Sequence, residues 1–321
     1  MKRFTVDSKQ NTMEKLVGIT MITKLILSAL LVLTSYFLFF FLTDYWKALK
    51  EGRLENNNFL ITGLIGLVVN FFDTLGIGSF APLTAMLKFF KQTEDKKIPG
   101  TLNVGCTAPM ILQAFIFMSG IKVETVTLVS MLLAAMAGSF FGATIVSKLD
   151  EKKVQFTMGV SLLIVALVIL AGQLNLMPGG GSAIGLHGVK LIIAIVGNFI
   201  LGILMTVGVG LYAPCMALVC VLGMNPKVAF PIMMGSCAFL LPMSSTKFVK
   251  SNAYDKKASI AISIFGIVGV LIAAFIVKEL PIKTLTWMMI FVIIYTSITM
   301  FKCYYSKKES KESYGSIEEA I

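Results

Sequence analysis

The sequence predicts an all-α polytopic transmembrane bundle of two inverted repeats, each carrying a glycine-broken pair of half-helices. Three observations lead there: the composition, a string of long apolar runs, and one motif that occurs twice. Of 321 residues, 56% are apolar and 14% charged, against about 45–50% and about 25% in a soluble domain. Mean hydropathy is +0.85. A soluble fold could not hide 24 Phe and 19 Met in addition to its aliphatic residues, so the surrounding solvent is lipid. The net charge of +11 would suggest a nucleic-acid partner in a soluble chain. In a membrane protein it reports orientation, because cytoplasmic loops collect Lys and Arg. No nucleic acid is expected.

The apolar runs fall at about 16–42, 59–75, 79–91, 100–119, 125–147, 154–176, 189–207, 211–223, 226–247, 258–279 and 284–303. Most reach the roughly 20 residues that a spanning helix needs. The first is too long for a signal-peptide core of about 7–15 residues and lacks a cleavage site, so it reads as a retained helix. Stretches 59–91 and 189–223 are each interrupted by glycine. Met177-Pro178-Gly179-Gly180-Gly181-Ser182 is a loop by its chemistry. The charged, Ser-rich end from Ser306 reads as a flexible cytoplasmic tail. The expected organisation is an additional N-terminal helix and loop (1–58), repeat 1 (59–176), a linker (177–187), repeat 2 (188–303) and the tail (304–321).

The two halves repeat in order at an offset near 130. Gly76-Ile77-Gly78-Ser79-Phe80-Ala81-Pro82 matches Gly208-Val209-Gly210-Leu211-Tyr212-Ala213-Pro214. Thr74 matches Thr206, and Gly105-Cys106-Thr107-Ala108 matches Gly235-Ser236-Cys237-Ala238. Gly138, Gly142 and Leu149 match Gly269, Ala273 and Leu280. Repeats of this kind build many secondary transporters, with the site at their interface. The lysine distribution addresses the path of the broken segments. If each turns back as a hairpin, the basic residues near 47–53, 88–97, 148–153, 247–257 and 302–311 share one face, a split of about 18 to 8. A single crossing by each would give about 14 to 12. The hairpin is expected, and it makes the halves inverted.

The glycine breaks carry the chemistry. Gly-x-Gly opens backbone conformations closed to other residues, and Pro82 and Pro214 suit the first turn of a helix. Each break therefore ends one half-helix and starts another. A helix start presents unpaired N–H groups and about half a positive charge. Hydrocarbon cannot satisfy those donors, whereas a bound anion can. The plainer reading is that these glycines only allow close helix packing; two matched breaks favour a site. The candidate substrate-binding residues are Gly76, Gly78, Ser79, Phe80, Pro82, Asn103, Cys106, Thr107, Gly208, Gly210, Tyr212, Pro214, Ser236 and Cys237. Asn70, Asn198, Ser244 and Ser245 add polar groups nearby. Asp73, the carboxylate well inside an apolar run, is a proton-coupling candidate, or else a cap on the next turn; Met205 holds its place in the second half.

Other groups read as structural. Lys88 and Lys190 are expected to snorkel to the interface, His187 to be interfacial, and Trp46 and Trp287 to lie in an aromatic belt. Cys106, Cys215, Cys220, Cys237 and Cys303 form no C-x-x-C pair and read as small buried hydrophobes. A contact from Cys106 or Cys237 to a sulfur-bearing substrate is the functional alternative. One histidine excludes a His-rich metal centre or a Ser-His-Asp triad.

These residues resemble the TauE/SafE sulfite exporter family of membrane permeases. The resemblance rests on the two Gly-x-Gly elements followed by Pro82 and Pro214, and on the Gly-Thr or Gly-Ser element of the helix after each. Those elements are Pro99-Gly100-Thr101 in the first half, and Ala229-Phe230-Pro231 with Gly235-Ser236 in the second. It covers about residues 59–303, leaving aside the first helix and the tail. The family commonly has further glycines before the Pro, where this chain has Ser79-Phe80 and Leu211-Tyr212. The resemblance implies a permease for sulfite or organosulfonate-type anions in the cell membrane. Its expected partners are a small anionic substrate and the lipid bilayer, with no cofactor, no metal and no catalytic residue; a homo-oligomer stays open. Without a G-x-x-x-x-G-K-[ST] sequence, an ion gradient is the expected energy source. An anion channel, a transporter of a different small anionic metabolite, an intramembrane enzyme and a scaffolding protein are the rival readings. An enzyme would need a nucleophile with its base, or a metal cluster.

Overall fold

The computed structural model describes residues 2–75, 78–117, 123–176, 181–208, 210–275 and scattered positions between 287 and 305. Gly76, Met177–Gly180, Leu280, Cys303 and the tail from Ser306 lie outside them. Among the described residues ten continuous α-helices follow in order: α1 (Lys2–Lys50), α2 (Phe59–Thr74), α3 (Phe80–Phe89), α4 (Ile98–Phe117), α5 (Thr125–Val146), α6 (Glu151–Gln173), α7 (Gly188–Val207), α8 (Tyr212–Val221), α9 (Pro226–Lys250) and α10 (Lys256–Phe275). A single 3-10 turn, Asp95–Lys97, precedes α4. Among the described residues the one non-helical pairing is an isolated bridge between Ala183 and Met224. Among the described residues, six helices contain a stretch long and apolar enough to cross a membrane. This is an all-α, multi-pass membrane protein. Its lipid-facing surface is apolar, with Leu25, Val32, Phe39, Val126, Ile145, Val189 and Phe275 each well exposed.

Both interrupted segments turn back. Gln92, just past α3, accepts hydrogen bonds from the Asn58 N–H (2.9 Å) and the Thr62 hydroxyl (3.2 Å) at the start of α2. The start of α2 and the end of α3 therefore share one end of the bundle. Near the start of α7, Gly181 donates to the Met224 carbonyl (3.0 Å) and Asn225 donates to that of Ala183 (2.9 Å), just past α8. The end that holds the start of α2 also holds the starts of α4, α6 and α10. Lys97 meets Glu55 at 3.0 Å, Gln155 reaches Asp95, and Asn57 reaches Asp255. The opposite end holds the starts of α5, α7 and α9, joined by Glu124 to Ile184 and Thr127 to Leu186. Helices α2 and α7 thus begin at opposite ends, as do α4 and α9, and α5 and α10.

Small residues let the helices approach. A Cβ on Gly138 of α5 would lie 2.0 Å from the Phe199 carbonyl oxygen of α7, and one on Gly269 of α10 would lie 2.2 Å from that of Leu67 in α2. These two glycines match in the sequence repeat, and they do the same work in the matching pairs α5–α7 and α2–α10. Helices α4 and α9 pack on each other. Pro109 lies inside α4, so its ring leaves the Gly105 carbonyl without an intrahelical donor. Ser263 of α10 donates to that carbonyl at 3.0 Å, which hydrocarbon could not do.

The lysine-rich end is tied by polar groups. Asp44 of α1 accepts from Tyr254 at 2.6 Å and pairs with Lys256 at 3.1 Å. Lys88 pairs with Asp95 at 2.5 Å with little exposure, so it is anchored in an ion pair where snorkelling to the lipid interface was expected. His187 is exposed, 3.8 Å from Glu124. Asp255 caps α10, accepting from the Ala258 N–H at 2.8 Å and from Asn57 at 2.9 Å. Burial pushes its carboxyl up to about 6; the Ala258 bond opposes the shift and the Glu55 charge adds to it.

Two predictions follow from this packing. Gly138→Ala and Gly269→Ala each lose about 1–3 kcal/mol of stability from overpacking, read as a lower melting temperature in detergent. Gly172→Ala, where nothing lies within 4 Å, loses none and gains up to about 1 kcal/mol of helix propensity. The second concerns pH. Asp255 binds its proton more tightly folded than unfolded, so its contribution to stability falls as pH rises through about 6. Asp255→Asn keeps the cap and removes the charge. Its melting temperature should lose the part of the decline that wild type shows between about pH 4 and about pH 6.

Candidate functional site

The two breaks meet at the centre of the bundle. Helix α2 ends at Leu75, and Gly78 takes a left-handed φ of 90° before α3 begins. Helix α7 ends on Gly208, whose φ is 111° and whose N–H bonds the carbonyls of Leu204 and Met205. Such φ values favour glycine. Neither Ser79 nor Leu211, the residues that open α3 and α8, makes a side-chain cap. The first intrahelical bonds are Leu83 N–H to Ser79 and Cys215 N–H to Leu211, both 2.9 Å. Pro82 and Pro214 stand at the third helical position and have no N–H. The N–H groups of Phe80 and Ala81, and those of Tyr212 and Ala213, are therefore left over at the two starts.

Both starts line one cavity of ≈ 10 Å³, walled by Asp73, Gly78, Ser79, Phe80, Met110, Met205, Gly210, Leu211, Tyr212 and Cys237. That is room for about one water. Phe80 and Tyr212, each the first residue of its half-helix, are buried and fill the rest. Met205 and Asp73, the matched pair, both line the cavity. The Cys237 thiol lies 3.7 Å from the Met205 sulfur.

Asp73 is 1% exposed. The Gln113 amide of α4 donates to its carboxylate at 2.8 Å, and the Gln113 carbonyl oxygen accepts from the Tyr212 hydroxyl at 3.1 Å. This chain joins the end of α2 to the start of α8. Tyr212 also touches the Met110 sulfur at 3.1 Å. Ser79 turns its backbone N–H and hydroxyl toward the same carboxylate. The buried Ser79 hydroxyl closes no hydrogen bond. Nothing cationic pairs with Asp73 among the described residues.

Of the residues singled out from sequence, Asp73, Gly78, Ser79, Phe80, Gly210, Tyr212 and Cys237 line the cavity. Gly76 lies outside the described residues. Pro82, Pro214 and Gly208 do not line the cavity; Gly208 packs against Met158 and Leu102. Cys106 is fully buried beside Ser79 and Asn70. Asn103 and Thr107 lie on the α4–α9 seam, where Ser244 donates to Asn103 at 2.8 Å and Thr107 meets Ser245 at 2.8 Å. Ser236 accepts from Asn198 at 2.9 Å. Thr74 and Thr206 bond back to their own helices through Asn70 and Ile203. Gln113, Met110 and Met205 were not singled out as site residues. Gln113 had a signal, a buried-type amide inside the run 100–119; the methionines had none among so many. Cys106, Cys215, Cys220 and Cys237 are free and buried. Among the described residues no group of three His, Cys, Asp or Glu is placed to hold a metal ion.

A family model described as sulfite exporter TauE/SafE matches residues 15–169 and 190–319. The match takes in most of the first helix and the tail, which the motif resemblance over 59–303 left aside. No curated protein matches the chain.

Gln113→Leu leaves the Asp73 carboxylate without its amide donor and should cost about 1.5–3 kcal/mol, the worth of a hydrogen bond to a charged group. Tyr212→Phe strands only the Gln113 carbonyl oxygen and should cost about 1 kcal/mol. Thermal unfolding of the purified protein in detergent ranks the two.

Proposed function

The chain belongs to the TauE/SafE sulfite exporter family of membrane transporters, and on that premise we propose that it carries a sulfite- or sulfonate-type oxyanion, held between the starts of α3 and α8. The observation that carries this reading is the shared cavity. Two uncapped helix starts, from opposite halves of the chain, open onto one buried space. Backbone N–H groups and two helix dipoles favour an anion there without a buried Arg or Lys. Tetrahedral and pyramidal oxyanions suit several converging donors. The Ser79 hydroxyl, buried and unpaired, is a further donor.

A cavity of ≈ 10 Å³ is too small for a polyatomic anion, so this is a closed state. Loading requires the half-helices to part, which moves Phe80 and Tyr212. The halves act as inverted repeats, because matched helices start from opposite ends of the bundle. Rocking one half on the other along the α4–α9 seam opens the site to each side in turn. The lysine-rich end faces the cytoplasm of the cell membrane on the positive-inside rule.

Proteoliposome flux tests this. Labelled sulfite or methanesulfonate should exchange saturably and be accelerated by the same anion on the far side, which a passive pore does not do. Gly78→Val forces a β-branched residue into a left-handed backbone and should lower exchange about tenfold or more. Absence of exchange for every sulfur oxyanion and carboxylate tried would sink the reading.

A further inference from the structure

The cavity already contains a negative group. Asp73 sits at the start of α3, its carboxylate bonded by Gln113 at 2.8 Å and approached by the Ser79 N–H. Those are donors of the kind that an arriving anion requires. The carboxylate therefore stands where part of the substrate's charge would stand.

Among the described residues, the surroundings offer it no countercharge. The titratable groups that face Asp73 are the Cys106 thiol of α4, the Tyr212 hydroxyl of α8 and the Cys237 thiol of α9. None is a cation in any protonation state. The amide of Gln113 and the hydroxyl of Ser79 are neutral. Helix α10, which packs along α2, places Lys256 and Lys257 at its first turn, where they hold Asp44 and the Asn57 carbonyl oxygen. That is about 20 Å along α2 from Asp73. A second negative charge entering this space would meet the first at close range in a low dielectric, a large repulsion.

We infer that Asp73 is a tethered anion: its carboxylate takes the donors of the empty site, and a substrate anion displaces it only as Asp73 accepts a proton, so that one proton travels with each anion. The inference rests on the anion-transport reading above and names its coupling ion. The proton comes from the aqueous side that supplies the anion. It adds to a carboxylate oxygen, and the neutral acid releases the Ser79 N–H to the substrate. On the far side the proton and the anion leave together, and the carboxylate returns to its donors. The charge moved per cycle is one unit less negative than that of the anion alone.

Methanesulfonate is the probe, because it stays ionised while Asp73 titrates. In proteoliposomes of the full chain, its half-saturation concentration for exchange should rise with pH. The limiting slope is about tenfold per unit for one linked proton. Asp73→Asn, uncharged at every pH, should lose that slope. In case this variant does not fold, the wild type is measured directly: net methanesulfonate entry, followed with a trapped pH dye, should carry about one proton per anion. A wild-type half-saturation that is flat with pH, entry without proton movement, or a slope that survives in Asp73→Asn overturns the inference. If neither labelled sulfite nor methanesulfonate exchanges at any pH, the transport reading itself falls, and that result is distinct from exchange without coupling.

Discussion

A helix that starts inside a membrane leaves N–H groups that no lipid can bond. This chain starts two there. Ser79 and Leu211 provide no side-chain cap, and the prolines at the third position delete one donor from each start without satisfying the others. What remains is a small set of donors facing one enclosed space. Everything else in the bundle can be read as a way of holding those two starts opposite one another. The returning hairpins deliver them to the centre, the glycine contacts fix the hairpins against their long partners, and the α4–α9 seam sets the two halves in register.

The seam has a different character from the hairpin contacts. Where α2 meets α10 and α5 meets α7, backbones touch across glycine with no room for a Cβ. Such contacts are rigid, because overpacking has no cheap relief. Along α4 and α9 the contacts are hydroxyl and amide pairs, Asn103 with Ser244 and Thr107 with Ser245. Polar pairs of this kind in membranes are worth only about 0.6–2 kcal/mol each, and they can exchange partners. On the proposed reading, the tight pairs move as bodies and the polar seam is where they move.

Much of this was legible in the residues. The repeat of Gly-x-Gly with its proline located both breaks, and the lysine distribution foretold that each broken segment turns back. Gly138 and Gly269 appeared as matched letters, and the structure shows the matched contacts that keep them small. The site was legible in part. Asp73 and the half-helix starts stood out because charge and glycine are rare in apolar runs. Gln113 is one amide in a long helix, and nothing local says that it reaches both Asp73 and Tyr212; that depends on how α4 crosses two other helices. Lys88 was misjudged for the same reason. Its run-end position suggested lipid, while its partner Asp95 lies on a 3-10 turn whose placement only the fold determines.

The sequence repeat matches Gly138 with Gly269 and Phe80 with Tyr212. The charge does not repeat. Asp73 is matched by Met205, and both border the cavity. Two ionised carboxylates sharing so small a space would repel, and one would stay protonated. It would then add bulk without a second useful titration. A methionine in its place fills the wall with a polarisable sulfur that contacts Cys237. One carboxylate against a pair of donor-rich helix starts leaves room for a single further negative charge once Asp73 is neutral. On the proposed reading, symmetry in the backbone supplies the site, and its breaking at this one pair of positions supplies the asymmetry of charge that coupling to a proton needs.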